Sequence, residues 1–266
     1  MDRTIQPEIQ DLENLIVTLP MRTTLPNGIP LAVIKAGEQD VVRMDILFAG
    51  GRWQQTQKLQ ALFTNRMLRE GSLKYTASEI AEKLDYYGAW LELSSSSEYA
   101  YITLYSLNKY FAEPLEILES IIKEPLFPEK DLNTVLDVNI QQYLVNSSKV
   151  DFLAQRSLLT ALYGNEHPCG RLTEEKDYRL ITPDVLREFY DEYYHSGNCA
   201  IFLSGNVTDD VIHKVESAFG NTPFGNYRYP LVKKEYTFTT TPDKRIFVER
   251  DDALQSAIKL GATTIE

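Results

Sequence analysis

Histidine and cysteine are scarce in this chain of 266 residues: three of the first and two of the second. His167, His195 and His213 are scattered, and no two share the i, i+4 spacing that puts two ligands on one helix face. Cys169 and Cys199 form no C-x-x-C pattern, which excludes a zinc ribbon. Both thiols read as free and buried, with a disulfide left open. Long apolar runs are missing too, and none approaches the roughly 20 residues of a membrane-spanning helix. The first twenty residues, "MDRTIQPEIQDLENLIVTLP", lack the apolar core of a secretory signal. A soluble, cytoplasmic protein is the expectation. Basic charge is short as well. Lys and Arg number 27 against 38 Asp and Glu, a net charge of −11 that offers no field for nucleic acid. An acidic surface favours solubility and suits cationic peptides.

What is present is an ordinary globular composition, 43% hydrophobic and 24% charged, with 16 tyrosines for grooves and half-buried sheet faces. "TTLPNGIPLAVIK" (23–35) places Pro-Asn-Gly between β-type residues, a turn joining two strands. "VVRMDILFAGG" (41–51) reads as a central strand ending at paired glycines. A helix over about 56–69 closes at Gly71, and "TASEIAEKLDYYG" (76–88) forms another, with Thr76 and Glu79 as a capping box. Alternation over 89–108 predicts a hairpin. Helices follow over 108–125, 127–146 and 151–164, and a fourth starts at Thr182-Pro183. "NCAIFLSGNV" is a buried strand, and a last helix runs from Thr208 to Gly220.

The order of elements is not a strict βαβ alternation. It predicts an α+β fold, a mixed, mostly antiparallel sheet with helices packed on one face. The domain reading is 1–220 as a first domain, 221–244 as a linker rich in prolines, and 245–266 as the opening strands of a second, truncated domain. The chain would then be the front part of a longer protein.

One stretch resists this simple patterning. "LFTNRMLREGS" (62–72) is written as an amphipathic helix, yet Asn65 and Arg66 fall among its apolar positions. The wider sequence supplies a reason. Leu25-Pro26-Asn27-Gly28-Ile29, Gly50-Gly51-Arg52, His167-Pro168-Cys169-Gly170, Ile181-Thr182, Phe189-Tyr190, Tyr193-Tyr194, Asn198 and Ser204-Gly205-Asn206 follow in an ordered series. In this order and spacing the chain resembles the insulinase/pitrilysin zinc peptidases, a family that includes the mitochondrial processing peptidases.

In that family an H-x-x-E-H helix supplies two zinc ligands and a general base, and a later helix supplies a third ligand, a Glu. Phe63, Met67 and Leu68 align with the family's helix. The resemblance then implies that Leu62 stands at the first ligand, Asn65 at the base, Arg66 at the second ligand and Asn139 at the third. Leu has no lone pair to offer, Arg stays protonated, and Asn is neither a base nor a good zinc ligand. The expected site is therefore degenerate, with no catalytic residue, no metal and no cofactor. Arg66 either fills the space of the metal, held by Asn139 or an acid, or snorkels over the apolar stripe. Arg228-Tyr229 echoes a substrate-binding pair of the family but lies in the linker, so no role is carried over to it.

The resemblance implies a non-catalytic peptidase homologue that pairs with an active zinc peptidase subunit, as a heterodimer, to enclose a peptide-binding chamber. Two alternatives belong beside it: a zinc metalloendopeptidase with other ligands, and a structural scaffold subunit without peptide contact.

Overall fold

A computed structural model of the chain describes residues 17–226 and 234–263. Its centre is one six-stranded sheet built from β1 (Met21–Thr24), β2 (Pro30–Lys35), β3 (Val41–Phe48), β4 (Trp90–Ser95), β5 (Ala100–Leu107) and β6 (Cys199–Gly205). The spatial order is β1-β2-β6-β3-β5-β4. β2 and β6 are parallel, and every other pairing is antiparallel. The helices are α1 (Gln60–Met67), α2 (Ala77–Tyr86), α3 (Ala112–Lys123), α4 (Glu129–Ser147), α5 (Val150–Tyr163), α6 (Glu175–Tyr178), α7 (Pro183–Tyr193) and α8 (Asp209–Val215).

Period-two alternation sorts the sheet residues by face. Val42, Met44, Ile46 and Phe48 of β3 are fully buried. Ile46 sits opposite Ile102 on one side and Ile201 on the other, and Met44 sits between Leu104 and Leu203. These cross-strand rows form the floor of the core. The opposite face is half open, with Arg43 paired to Asp45 at 2.8 Å and the Asp45 carboxylate accepting from Thr103. Helical stripes close the buried face, led by Ile117, Leu118, Ile121 and Ile122 of α3 and by Leu186, Phe189 and Tyr193 of α7.

The local signals are realised in detail. The Thr76 hydroxyl accepts from the Glu79 amide, and the Glu79 carboxylate accepts from the Thr76 amide. Thr182 and Thr208 cap α7 and α8 in the same way. The last helix changes pitch at Glu216–Gly220, which form a π turn. Both cysteines are free thiols, Cys199 buried and Cys169 partly so.

Gly51 is demanded by close approach. A Cβ there would lie 2.4 Å from the Glu98 carbonyl carbon, because the 51–54 turn lies against the β4–β5 hairpin tip.

Two expectations are corrected. The stretch 245–266 was expected to begin two strands, but the described part, 245–263, contains none; 264–266 lie outside the described residues. Its apolar residues Phe247, Leu254, Ile258 and Leu260 are exposed, and no neighbouring strand accepts their backbone groups. Arg228-Tyr229 also lies outside the described residues, as do the first sixteen. The second correction concerns α1, which is not amphipathic. Six of its eight residues are buried, because it lies between α7, β4 and β5.

Candidate functional site

α1 is entered through a strained residue. Leu59 adopts φ 71, a left-handed conformation that non-glycine residues seldom take. Gln60 offsets the missing hydroxyl cap. Its Oε1 accepts from the Thr56 amide and hydroxyl at 3.1 Å, and its Nε2 donates to the Val185 carbonyl at 2.9 Å. Phe63 and Met67 are completely buried, and the Thr64 hydroxyl donates to the Leu186 carbonyl. The helix closes through a 3₁₀ turn, Leu68–Glu70, into Gly71 at φ 138.

The two residues of α1 that escape burial are Leu62 and Arg66. They stand at i and i+4, one above the other on the same face. Leu62 packs half-buried against the core edge. The Arg66 guanidinium is exposed and donates through Nη1 to Oδ1 of Asn139 on α4. The Asn139 amide in turn donates to the Val135 carbonyl at 2.7 Å. The structure therefore brings Arg66 to Asn139, with Leu62 one turn earlier on the same face of α1.

Asn65 goes elsewhere. It is fully buried, and its Nδ2 donates to the Tyr101 carbonyl at 3.4 Å and to the Tyr194 hydroxyl at 3.3 Å. Tyr194 is buried too, and burial raises its phenol far above the ordinary range. Asn65 thus ties α1 to β5 and to the end of α7.

Sequence reasoning missed an aromatic cluster beside Asn139. Tyr143 lies one turn beyond Asn139 on α4, and its ring centroid is 5.8 Å from Tyr178 of α6 and 6.2 Å from Phe152 of α5. Tyr178 also meets Phe63 edge to face at 5.9 Å. Arg156 of α5 lies over Phe152 at 5.3 Å and over Tyr143 at 5.8 Å. Helical spacing from Asn139 could have found Tyr143. Nothing local marks Tyr178 or Arg156, which arrive from other elements.

The donor set at this place does not fit a divalent zinc ion. A permanent cation occupies it, bonded to an amide oxygen, and among the described residues no carboxylate, thiolate or imidazole is bonded to it. Among the described residues no three His, Cys, Asp or Glu gather closely enough to hold a metal. His167 is instead packed in an aromatic cluster, stacked on Tyr163 at 5.1 Å, with its Nδ1 accepting from the Cys169 amide at 3.1 Å. His213 is exposed on α8.

Comparison with known proteins gives the family. The model for Insulinase (Peptidase family M16) matches residues 32–174, and that for the peptidase M16 inactive domain matches residues 180–264. The chain belongs to peptidase family M16. It is 25% identical over 219 residues to the uncharacterized zinc protease YmxG of Bacillus subtilis (strain 168), covering 81% of this chain and 53% of that protein. It is 28% identical over 207 residues to mitochondrial-processing peptidase subunit alpha-1 of Dictyostelium discoideum, covering 76% and 31%. A relative in Helicobacter pylori (strain ATCC 700392 / 26695), 24% identical over 200 residues and covering 74% and 45%, is named a non-peptidase homolog. The crystal structure of a peptidase M16 inactive domain from Pseudomonas fluorescens superposes with a TM-score of 0.72 at 23% identity, covering 82% of this chain and 53% of that one. The chain thus spans about half the length, or less, of these relatives.

Proposed function

We propose that this chain is a non-catalytic M16 peptidase-like domain that pairs with an active zinc peptidase subunit, as a heterodimer, and forms part of the wall of a peptide-binding chamber. The single observation that carries this reading is the Arg66–Asn139 hydrogen bond. It fills the α1–α4 gap where the family resemblance puts the second and third zinc ligands. Zinc would have to displace a cation there without gaining an anionic ligand. In this reading Leu62, Asn65, Arg66 and Asn139 are the degenerate counterparts of two ligands, the base and the third ligand, and no cofactor is bound.

Peptide would be held by strand addition. β4 is an edge strand, and Trp90 and Glu92 on it are exposed. The match to the inactive-domain model, the non-peptidase name of one relative and the processing-peptidase subunits among the others support the reading. The division into a domain of 1–220, a linker of 221–244 and the start of a second domain over 245–266 belongs to the same proposal, as does a cytoplasmic location. No helix among the described residues is long and apolar enough to cross a membrane.

The test is metal content and peptide hydrolysis of the purified chain, alone and after co-expression with an active M16 homologue. The reading expects no stoichiometric zinc and no chelator-sensitive cleavage alone, and stable co-purification with the homologue. Stoichiometric zinc with chelator-sensitive cleavage by the chain alone would establish a metalloendopeptidase. A stable complex that neither binds peptide nor alters hydrolysis would establish a scaffold.

A further inference from the structure

Arg156 lies over an aromatic floor, and Arg66 is bonded to Asn139, one helical turn from that floor's Tyr143. The floor is Tyr143, Phe152 and Tyr178, on three different helices, with adjacent ring centroids about 6 Å apart. The ion-paired arginines among the described residues are Arg43, Arg179 and Arg250; Arg66 and Arg156 are not among them. Asp177, the acid next to Tyr178, is already engaged by Lys58 at 3.0 Å and by the Glu174 amide at 2.7 Å. Arg66 is bonded to Asn139, one helical turn before Tyr143 on α4, and Arg156 lies 5.8 Å from the Tyr143 ring centroid, so the two guanidinium groups flank the same stretch of α4; burial raises the Tyr178 phenol, and the charges of Arg66 and Arg156 act to lower it.

Two guanidinium groups flanking one stretch of a helix repel each other, and the partial burial of Arg156 weakens the screening by water. In a chain of net charge −11, leaving such a pair without a counter-charge is out of keeping with the rest of the surface. Guanidinium forks and phenol hydroxyls are together the donor set that receives a planar oxyanion.

We propose that Arg66, Arg156 and the hydroxyls of Tyr143 and Tyr178 form a carboxylate-binding site that anchors a bound peptide by an acidic side chain or by its C-terminus. The inference rests on the peptide-binding reading above. The edge strand β4 packs on α1, and Arg69 of the following turn donates to the Leu91 carbonyl at 2.7 Å. A peptide added to β4 and the two-arginine patch therefore share one helix. The site would select acidic groups even though the chain as a whole is acidic, and would replace metal coordination of a peptide by charge pairing.

The test uses the full chain and two kinds of probe. In the first, N-acetylglutamate amide is titrated while the arginine Nε–Hε resonances are followed, assigned with Arg66→Lys and Arg156→Lys. Both signals should shift together and saturate, N-acetylglutamine amide should leave them unmoved, and Arg66→Gln or Arg156→Gln should abolish the response in a variant whose circular dichroism is unchanged. Absence of a saturable shift overturns the site, as does tighter binding of inorganic phosphate, which would reassign its ligand. In the second, three versions of one short extended peptide are compared by fluorescence anisotropy: blocked and neutral, blocked with one internal Glu, and neutral with a free C-terminus. At least one carboxylate peptide should bind roughly tenfold tighter than the neutral one, the scale of one charge-assisted hydrogen bond, and the better of the two identifies the source. Equal binding of all three overturns the site while peptide binding stands. If no peptide binds but the small carboxylate saturates both arginines, the site stands and the peptide-binding reading falls.

Discussion

Arg66 and Asn139 lie 73 residues apart in the chain, and the guanidinium of one donates to the amide oxygen of the other across the gap between α1 and α4. The contact is between a permanent cation and a neutral acceptor, and it occupies the uncovered face of an otherwise buried helix. Leu62 completes that face one turn earlier.

Restoring ligands at these positions tests the correspondence. Leu62→His, Arg66→His and Asn139→Glu should together create zinc affinity in the micromolar range or better, read by calorimetry. Arg66 already meets Asn139 and shares a helix face with Leu62, so the prediction needs only side-chain identity to change. A folded triple variant without zinc binding would mean that the family register assigned to α1 and α4 is wrong.

Adding Asn65→Glu to that variant should instead cost stability, on the order of 3 kcal/mol. The residue is fully buried, and its amide donates to the Tyr101 carbonyl. A carboxylate would face that carbonyl with no cation to pair it. Chemical denaturation of Asn65→Glu alone measures the loss. A loss below about 1 kcal/mol would show that α1 can rotate its base position out of the core.

The capping boxes, the strand alternation and the hairpin were legible because each is a local pattern, fixed by residues within a turn or two of one another. Thr76 with Glu79 and the Pro-Asn-Gly turn at 26–28 are examples. The parallel pairing of β2 with β6 was not, since Val33 meets Leu203 only after α1 to α7 have been laid down. Leu62, Arg66 and Asn139 could be named from a family pattern, but the inward turn of Asn65 depends on Tyr194, which comes 129 residues later. Arg156 and Tyr178 had no pattern to announce them. Of the strands expected over 245–266, none forms in the described part, 245–263, for the opposite reason: β-type residues are present, but no described strand lies beside them.

Gly51→Ala should lower the thermal midpoint by several degrees. The added methyl meets the Glu98 backbone, not a flexible side-chain tip, so either the 51–54 turn or the hairpin must move. A cost of about 2 kcal/mol corresponds to roughly 4–8 °C in a domain of this size. Gly28→Ala, where no atom lies within 4 Å but φ is +94, separates backbone strain from collision. An unchanged midpoint for Gly51→Ala would mean that the turn and the hairpin tip can part at no cost.

Stability should fall as the pH drops below about 6.5, through His167. Burial, and secondarily the Arg52 charge, hold its imidazole below the ordinary value of 6.5. The unfolded chain therefore takes up a proton before the folded one does, and unfolding is favoured progressively from pH 6.5 down to the lowered folded value, below which the penalty is constant. Protonation would also remove the Nδ1 acceptor of the Cys169 amide. His195, also lowered by burial, adds to the slope with the same sign. The carboxylates held low by their partners, Glu79 and Glu116 among them, lose their contribution only below the unfolded carboxylate range near 4.5, so the two windows separate. Thermal midpoints between pH 7.5 and 5 should show the decline, and His167→Asn should flatten part of it while lowering the plateau through the lost stacking on Tyr163. An unchanged slope in that variant would assign the whole effect to His195.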